Sequence, residues 1–349
     1  MLTRLRIENF RCFDEVELFP ADLTLLIGRN GSGKSTVLDV LASLREIVVL
    51  GKPVEEVLWG SARTEGGTVF EIELSLGGRE LAYRLEIDDS TDDWLIHHEH
   101  VVEATEAGPR AWFTADGGHV ELDGAALGAR WKTDASPLAS FSFDADHPCA
   151  LLRTWLEGVW LLRLNPQGMD GAAAEADEQL ESSGENFGEW LLSFDQAELD
   201  GLATHLGNTI DRLTRLQFVE AGRKSVLVAG FSDDRDLDFE DLSDGQRVLI
   251  VLHAVLLLVG DATLLLLDEP DAHVTSTEIL PLVRRIRNGA ESGDYQAIVV
   301  SHHPQMLDLL ASDHVVEIDA SAGPDSARPL QFDTEDPIPA SRYILLRGA

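Results

Sequence analysis

The stretch LLIGRNGSGKSTVLDVL, Leu25 to Leu41, decides the fold. An apolar run ends at Gly28, a polar bend carries Gly31 and Gly33, and a helical pattern begins near Gly33. Gly28, four further residues, then Gly33-Lys34-Ser35 satisfy G-x-x-x-x-G-K-[ST], in the strand–loop–helix context that this spacing requires. The physical reason is the backbone. Glycines let successive N–H groups turn inward on phosphate oxygens, and the helix start adds a partial positive charge. Asn30, Gly31, Ser32 and Gly33 form the cradle in this reading. Lys34 reaches the β- and γ-phosphates, Ser35 ligates Mg²⁺, and Thr36 faces the α-phosphate.

A second stretch, TLLLLDEPD (Thr263 to Asp271), places Asp268 and Glu269 at the end of a leucine run suited to a strand buried on both faces. Ligand groups of open α/β sheets gather at such carboxyl ends. Asp268 is the expected Mg²⁺ ligand, directly or through water, and Glu269 the residue that orients and deprotonates an attacking water. LSDGQR, Leu242 to Arg247, opens a helix with Ser243 as N-cap and Asp244 in the first turn. A capped helix is one reading. The other is a second anion site built from Ser243, Gly245 and the helix start, for the nucleotide of another molecule. AIVVSHHPQML brings His302 to a strand end, where it can donate to a γ-phosphate.

Outward from these motifs, three strands precede the glycine bend and strands meander from Thr68 to about Asp123, with a hairpin turn at Gly77-Gly78. VWLLRL (Val159 to Leu164) reads as a short buried strand. GMDGAAAEADEQLESSGE, residues 168–185, reads as a mobile loop, Phe187 to about Leu216 as helical, and KSVLVAGF as a strand. The apolar run from Val248 to Pro270 is broken at Gly260-Asp261-Ala262. It therefore reads as a buried helix, a turn and a central strand rather than a membrane span. HHEH, His97 to His100, reads as an exposed strand with His98 and His100 on one face and His97 and Glu99 on the other. The tryptophans, Trp59 among them, are read as packing residues rather than base-stacking platforms.

Composition narrows the partners. The net charge is −35, from 62 acidic against 27 basic residues, which weighs against nonspecific binding to nucleic acid unless a local basic patch exists. Cys12 and Cys149 supply no disulfide framework, and the N-terminus has no signal-peptide core, so a cytoplasmic location is expected.

Together the motifs resemble the ABC-class ATPases of the SMC/RecF-like branch, specifically the AAA-type ATPases related to the overcoming-lysogenization-defect family. LRIENFRCFDEVEL is similar to that branch's N-terminal strands, Gly28 to Thr36 to its Walker A, LSDGQR to its signature and LLLLDEP to its Walker B. EPDAH resembles its D-loop, VVSHHP its switch-histidine segment, and SSGENFGEWL a stretch upstream of the signature. The resemblance implies an α/β fold: an ABC-type P-loop ATPase head with a mixed sheet, an N-terminal antiparallel β subdomain and an inserted α/β lobe. No heptads suggest a long coiled coil.

The implied division is 1–60 for the N-terminal part of the head, 61–235 for the lobe, 236–320 for the C-terminal part and 321–349 for a tail. The resemblance further implies ATP and Mg²⁺ as cofactors, with Lys34, Glu269 and His302 catalytic and Ser35 and Asp268 on the metal. It implies a homodimer closed head to tail on ATP between one chain's Walker A and the other's Ser243 and Gly245. The expected role is ATP hydrolysis acting on DNA or on a separate effector protein, in DNA repair or anti-phage defence. The alternatives are a membrane transporter's ATPase subunit and a nucleotide-gated scaffold with little turnover. Two positions depart from the family pattern: Thr275 where histidine is frequent, and Ser276 where proline is. The Q-loop glutamine has no clear place: Gln167 in LNPQGMD is a candidate, and Gln179 and Gln196 read equally well as surface residues.

Overall fold

The computed structural model describes residues 1–58, 67–88, 94–128, 130–260, 263–330 and 341–342. The first part of the chain forms β1 (Leu2–Phe10), β2 (Phe13–Leu18), β3 (Leu23–Ile27), α1 (Lys34–Val48) and α2 (Val54–Leu58). Then come β4 (Thr68–Leu76), β5 (Arg79–Asp88), β6 (Leu95–Thr105), β7 (Gly108–Asp116), β8 (His119–Leu122) and β9 (Ala125–Ala126). The middle holds α3 (Pro148–Glu157), β10 (Val159–Leu162), β11 (Ala172–Ala173), α4 (Phe187–Leu191) and α5 (Gln196–Leu206), then β12 (Leu213–Ala221), β13 (Lys224–Phe231) and β14 (Asp236–Asp238). The last part holds α6 (Asp244–Leu258), β15 (Leu264–Asp268), α7 (Ser276–Ser292), β16 (Gln296–Val300), α8 (Pro304–Leu310), β17 (His314–Ile318) and β18 (Ala327–Leu330).

Two large sheets enclose α1. The central sheet has the order β10-β15-β16-β3-β17-β18, parallel except for β18. The other is an eight-stranded sheet, β2-β1-β4-β5-β6-β7-β8-β9. The division at residues 60 and 235 read from the sequence does not follow these sheets: β1 and β2 pair into the eight-stranded sheet, and β10 belongs to the central one.

Side chains alternate across a strand, and the central strands use both faces. Leu26, Leu264, Leu266, Ile298 and Val300 pack with α1, α3 and the eight-stranded sheet. Leu25, Leu265, Leu267, Ala297 and Val299 pack with α5 to α8. Each fully buried leucine contributes about 1.5–3 kcal/mol, so the apolar runs before Gly28 and Asp268 are what hold both loops at one sheet edge. Helix α6 is buried from Arg247 to Leu256, which accounts for its apolar character all round. Among the described residues no helix is long and apolar enough to cross a membrane.

Three local readings are corrected. The helix expected from Phe187 to Leu216 stops at Leu206, and LTRLQFVEA is strand β12, closed on β13 by a turn at Gly222 with φ 71°. The antiparallel ladder with β13, which runs the length of the segment, outweighs the leucine spacing there. Residues 168–185 are a folded connection rather than a loose loop. β11 pairs with β13, Arg163 and Asn165 N–H donate to Ser182 and Ser183 carbonyls, and Asn186 bonds Gln179 and Asp177. Polar composition concealed this because the ties are Asn and Asp side chains bonding local backbone.

In HHEH, a bulge against β5 lets Glu99 turn inward while His97 stays outside. Glu99 is fully buried, and its Oε1 accepts from Tyr83 Oη (2.9 Å) and Ser136 Oγ (2.7 Å). His98 and His100 do share a face, with ring nitrogens 2.9 Å apart. Trp94, Trp155 and Trp190 are buried, and Trp59 lies outside the described residues.

Burial pushes the Glu99 carboxyl up from 4.5 to about 7, against the two hydrogen bonds. The folded chain therefore binds this proton more tightly than the unfolded chain. The stability it confers is full below pH 4.5, declines as pH rises toward 7, and stays lost above that. Glu99→Gln keeps the Oε1 acceptor and removes the ionisation. At pH 8 it is expected to be the more stable chain, by up to about 3 kcal/mol in urea unfolding, with the advantage shrinking toward pH 5. An advantage independent of pH contradicts this assignment.

Candidate functional site

The glycine loop leaves β3 at Gly28 and enters α1 at Gly33, which has φ 106° and offers no capping side chain. The first-turn amides of α1 thus lack intrahelical acceptors and face outward. Gly33 must be glycine twice over: a Cβ would lie 2.3 Å from the Phe13 ring, and the φ is left-handed. A Cβ on Gly28 would meet the Ile318 carbonyl oxygen at 2.3 Å.

A cleft of about 250 Å³ lies here, lined by Arg11, Cys12 and residues 31–36. Ser32 Oγ is buried without a hydrogen-bond partner, while Ser35 is exposed at the head of the helix. Lys34 is buried, and its Nζ donates to the carbonyl oxygens of Gly28 (2.9 Å) and Arg29 (3.1 Å). Burial holds its pKa below the ordinary lysine value, against the pull of Glu269 and Asp268.

β15 ends beside this loop. Asp268 is buried, whereas the next residue, Glu269, is exposed and has φ 52°, a left-handed backbone that costs a non-glycine residue energy. Its N–H still donates to the Val300 carbonyl (2.9 Å), tying the turn to β16. His302, at the end of β16, places Nε2 3.8 Å from Glu269 Oε1. Burial, and then Lys34, lower the His302 pKa, so the ring is neutral at neutral pH. His303 serves the fold instead, since its Nδ1 accepts from Gln305 N–H and caps α8.

The structure thus brings Lys34, Asp268, Glu269 and His302 to the carboxyl edge of β3, β15 and β16. Ser243 and Gly245 lie at the start of α6, engaged with other partners. Ser243 forms a capping box with Gln246. A Cβ on Gly245 would lie 2.5 Å from the His273 carbonyl oxygen, so the small residue lets the segment after Asp271 pack on α6. Gln167 donates to both Asp244 oxygens (3.0 and 2.9 Å), at the α6 start rather than at Asp268. Gln196 begins α5 and bonds Asp200, and Gln179 lies in the folded connection bonded to Asn186. Thr275, at the position that departs from the family pattern, is the N-cap of α7 in a capping box with Glu278.

Two groups escaped the sequence reading. Asp271 is buried and accepts from Ser301 Oγ (2.9 Å), while His303 N–H donates to the same hydroxyl (3.0 Å). Burial raises the Asp271 pKa. This bridge joins the loop after β15 to the loop after β16. Arg163, just past β10, donates through Nε to Asp268 Oδ2 (2.8 Å) and through its NH2 group to Asp39 Oδ1 (2.8 Å). Asp271 lies in the EPDAH stretch, whose resemblance to the D-loop gave this residue no role of its own, and Arg163 has no sequence signature. Arg163 becomes visible only once β10 is set beside β15.

A family model described as "AAA ATPase domain" matches residues 1–47, and one described as "AAA domain, putative AbiEii toxin, Type IV TA system" matches residues 160–308. Over 53 residues the chain is 43% identical to the OLD nuclease of Thermus scotoductus (strain ATCC 700910 / SA-01), covering 13% of this chain and 10% of that protein. The chain thus matches about a tenth of the length of this curated relative. Among solved structures, an Smc head bound to the C-winged helix domain of ScpA superposes with a TM-score of 0.57 at 15% identity, covering 95% of this chain and 98% of that one. An Smc head with an extended coiled coil, bound to the C-terminal domain of ScpA derived from Pyrococcus furiosus, superposes with a TM-score of 0.51 at 13% identity, covering 95% and 96%. These likenesses are of fold.

Proposed function

We propose, from the premise that this chain is an ABC-class ATPase of the SMC/RecF-like branch, that it binds and hydrolyses ATP between two copies of itself. One observation carries the reading: Lys34, Asp268, Glu269 and His302 converge on the edge where the glycine loop opens, although they are far apart in sequence. The loop amides and the α1 start hold phosphate oxygens, and Ser32 Oγ, without a partner in the chain, is positioned to donate to one. Lys34 trades its two carbonyl acceptors for phosphate oxygens, a charge-assisted exchange.

Oxygen donors of the type found at Ser35 and Asp268 suit Mg²⁺. When bound, that ion supplies charge neutralisation at the phosphates. Glu269 orients the attacking water and takes its proton, and the neutral His302 ring donates toward the γ-phosphate. Partner groups at the start of α6, Ser243 and Gly245, close the second side.

Acting through nucleotide-driven dimerisation, such a head would work on DNA or a separate effector, in DNA repair or anti-phage defence. The acidic surface favours a protein effector over bare duplex. Ser243→Arg tests the two-sided site. It places a bulky cation where the second copy must approach, at the start of α6 and outside the glycine loop. ATP is expected to bind with affinity within about twofold of the unsubstituted chain's, while ATP-dependent dimers vanish in sedimentation velocity. Persistence of those dimers contradicts the proposed contact.

A further inference from the structure

We propose that Arg163 is a resident counter-cation of the metal position: it pairs with Asp268 until a divalent cation enters with nucleotide, and must then yield. The inference rests on the ATP-binding reading above and deepens it.

The placement follows from register. β10 runs parallel to β15 with Leu162 beside Leu267, so the next residues, Arg163 and Asp268, emerge side by side at the carboxyl edge. The guanidinium bridges two carboxylates, Asp268 with a side chain only 7% exposed and Asp39 at 18%. Asp39 lies four residues after Ser35 on α1, and therefore on the same face of the helix. Arg11 also pairs with Asp39, giving an alternating chain Arg11–Asp39–Arg163–Asp268.

The bridge neutralises two acids that would otherwise repel. A dication held at Asp268, directly or through water, would share that carboxylate with the Arg163 guanidinium, whose Nε lies 2.8 Å from Oδ2, so uptake requires Arg163 to withdraw, and Asp39 is the anchor it keeps. The cation requirement of nucleotide binding is thereby set partly by a residue that ligates neither.

The test is Mn²⁺ uptake, read by electron paramagnetic resonance on the full chain saturated with a non-hydrolysable ATP analogue. Arg163→Gln is expected to lower the half-saturating Mn²⁺ concentration about tenfold, and Arg163→Lys to restore it toward the unsubstituted value. Asp39→Asn removes the alternative anchor and is expected to shift it upward; the downward shift of Arg163→Gln is the one that general loosening of the site does not produce. An unchanged or higher requirement in Arg163→Gln overturns the inference. An unsubstituted chain that takes up no Mn²⁺ with the analogue overturns the parent reading instead.

Discussion

Lys34→Ala is expected to abolish ATP binding and to lower ATP hydrolysis by at least about a hundredfold, the scale of losing one preorganised charge at a reacting phosphate. The side chain is buried, aimed into the glycine loop and held on the Gly28 and Arg29 carbonyls. Alanine removes the only lysine of the loop while leaving α1 intact, because alanine is the best helix former. The check is a pair of thermal melts with and without ATP. A ligand that binds only the folded state raises the midpoint, so the unsubstituted chain should shift and Lys34→Ala should not. A full shift in the variant means that the nucleotide sits elsewhere.

Glu269→Gln has the second large effect, and it acts on turnover rather than binding. Glutamine matches the shape of glutamate but takes no proton from water, so hydrolysis should fall by about a hundredfold to ten-thousandfold. ATP affinity should be preserved, because Asp268 and the loop are untouched, and ATP-bound dimers should accumulate. The substitution leaves the backbone strain at φ 52° unchanged, since Gln and Glu carry the same Cβ. Single-turnover hydrolysis with separated bound and free nucleotide reads both quantities. Loss of binding together with turnover would assign Glu269 to holding the nucleotide rather than to chemistry.

What the sequence disclosed was local in kind. Gly28 to Thr36 declares itself because backbone geometry, helix start and lysine lie within one short segment. The leucines before Asp268 declare a central strand because burial on both faces leaves no polar position. Partners set by tertiary register were invisible. Arg163 meets Asp268 across more than a hundred positions, through the pairing of β10 with β15. The inward turn of Glu99 depends on one bulge at His97, which reverses the face that alternation assigns. The Asp271–Ser301 bridge joins two loops that lie next to each other only because β15 and β16 do. Gln167 bonds Asp244 because the connection from β10 folds back toward the α6 start, which glutamine spacing alone does not disclose.

The central claim is that one nucleotide is shared by two copies, and mixing two defective chains tests it most directly. In a Glu269→Gln background, a Lys34→Ala chain lacks the loop lysine but keeps its α6 start, and a Ser243→Arg chain has the reverse defect. Each alone with ATP should remain a monomer. Mixed, they should form heterodimers carrying about one ATP per pair, since a symmetric two-site dimer then retains one complete site, measured by sedimentation with nucleotide absorbance. Monomers alone in the mixture, with ATP bound only to the Ser243→Arg chain, would contradict a site shared between subunits.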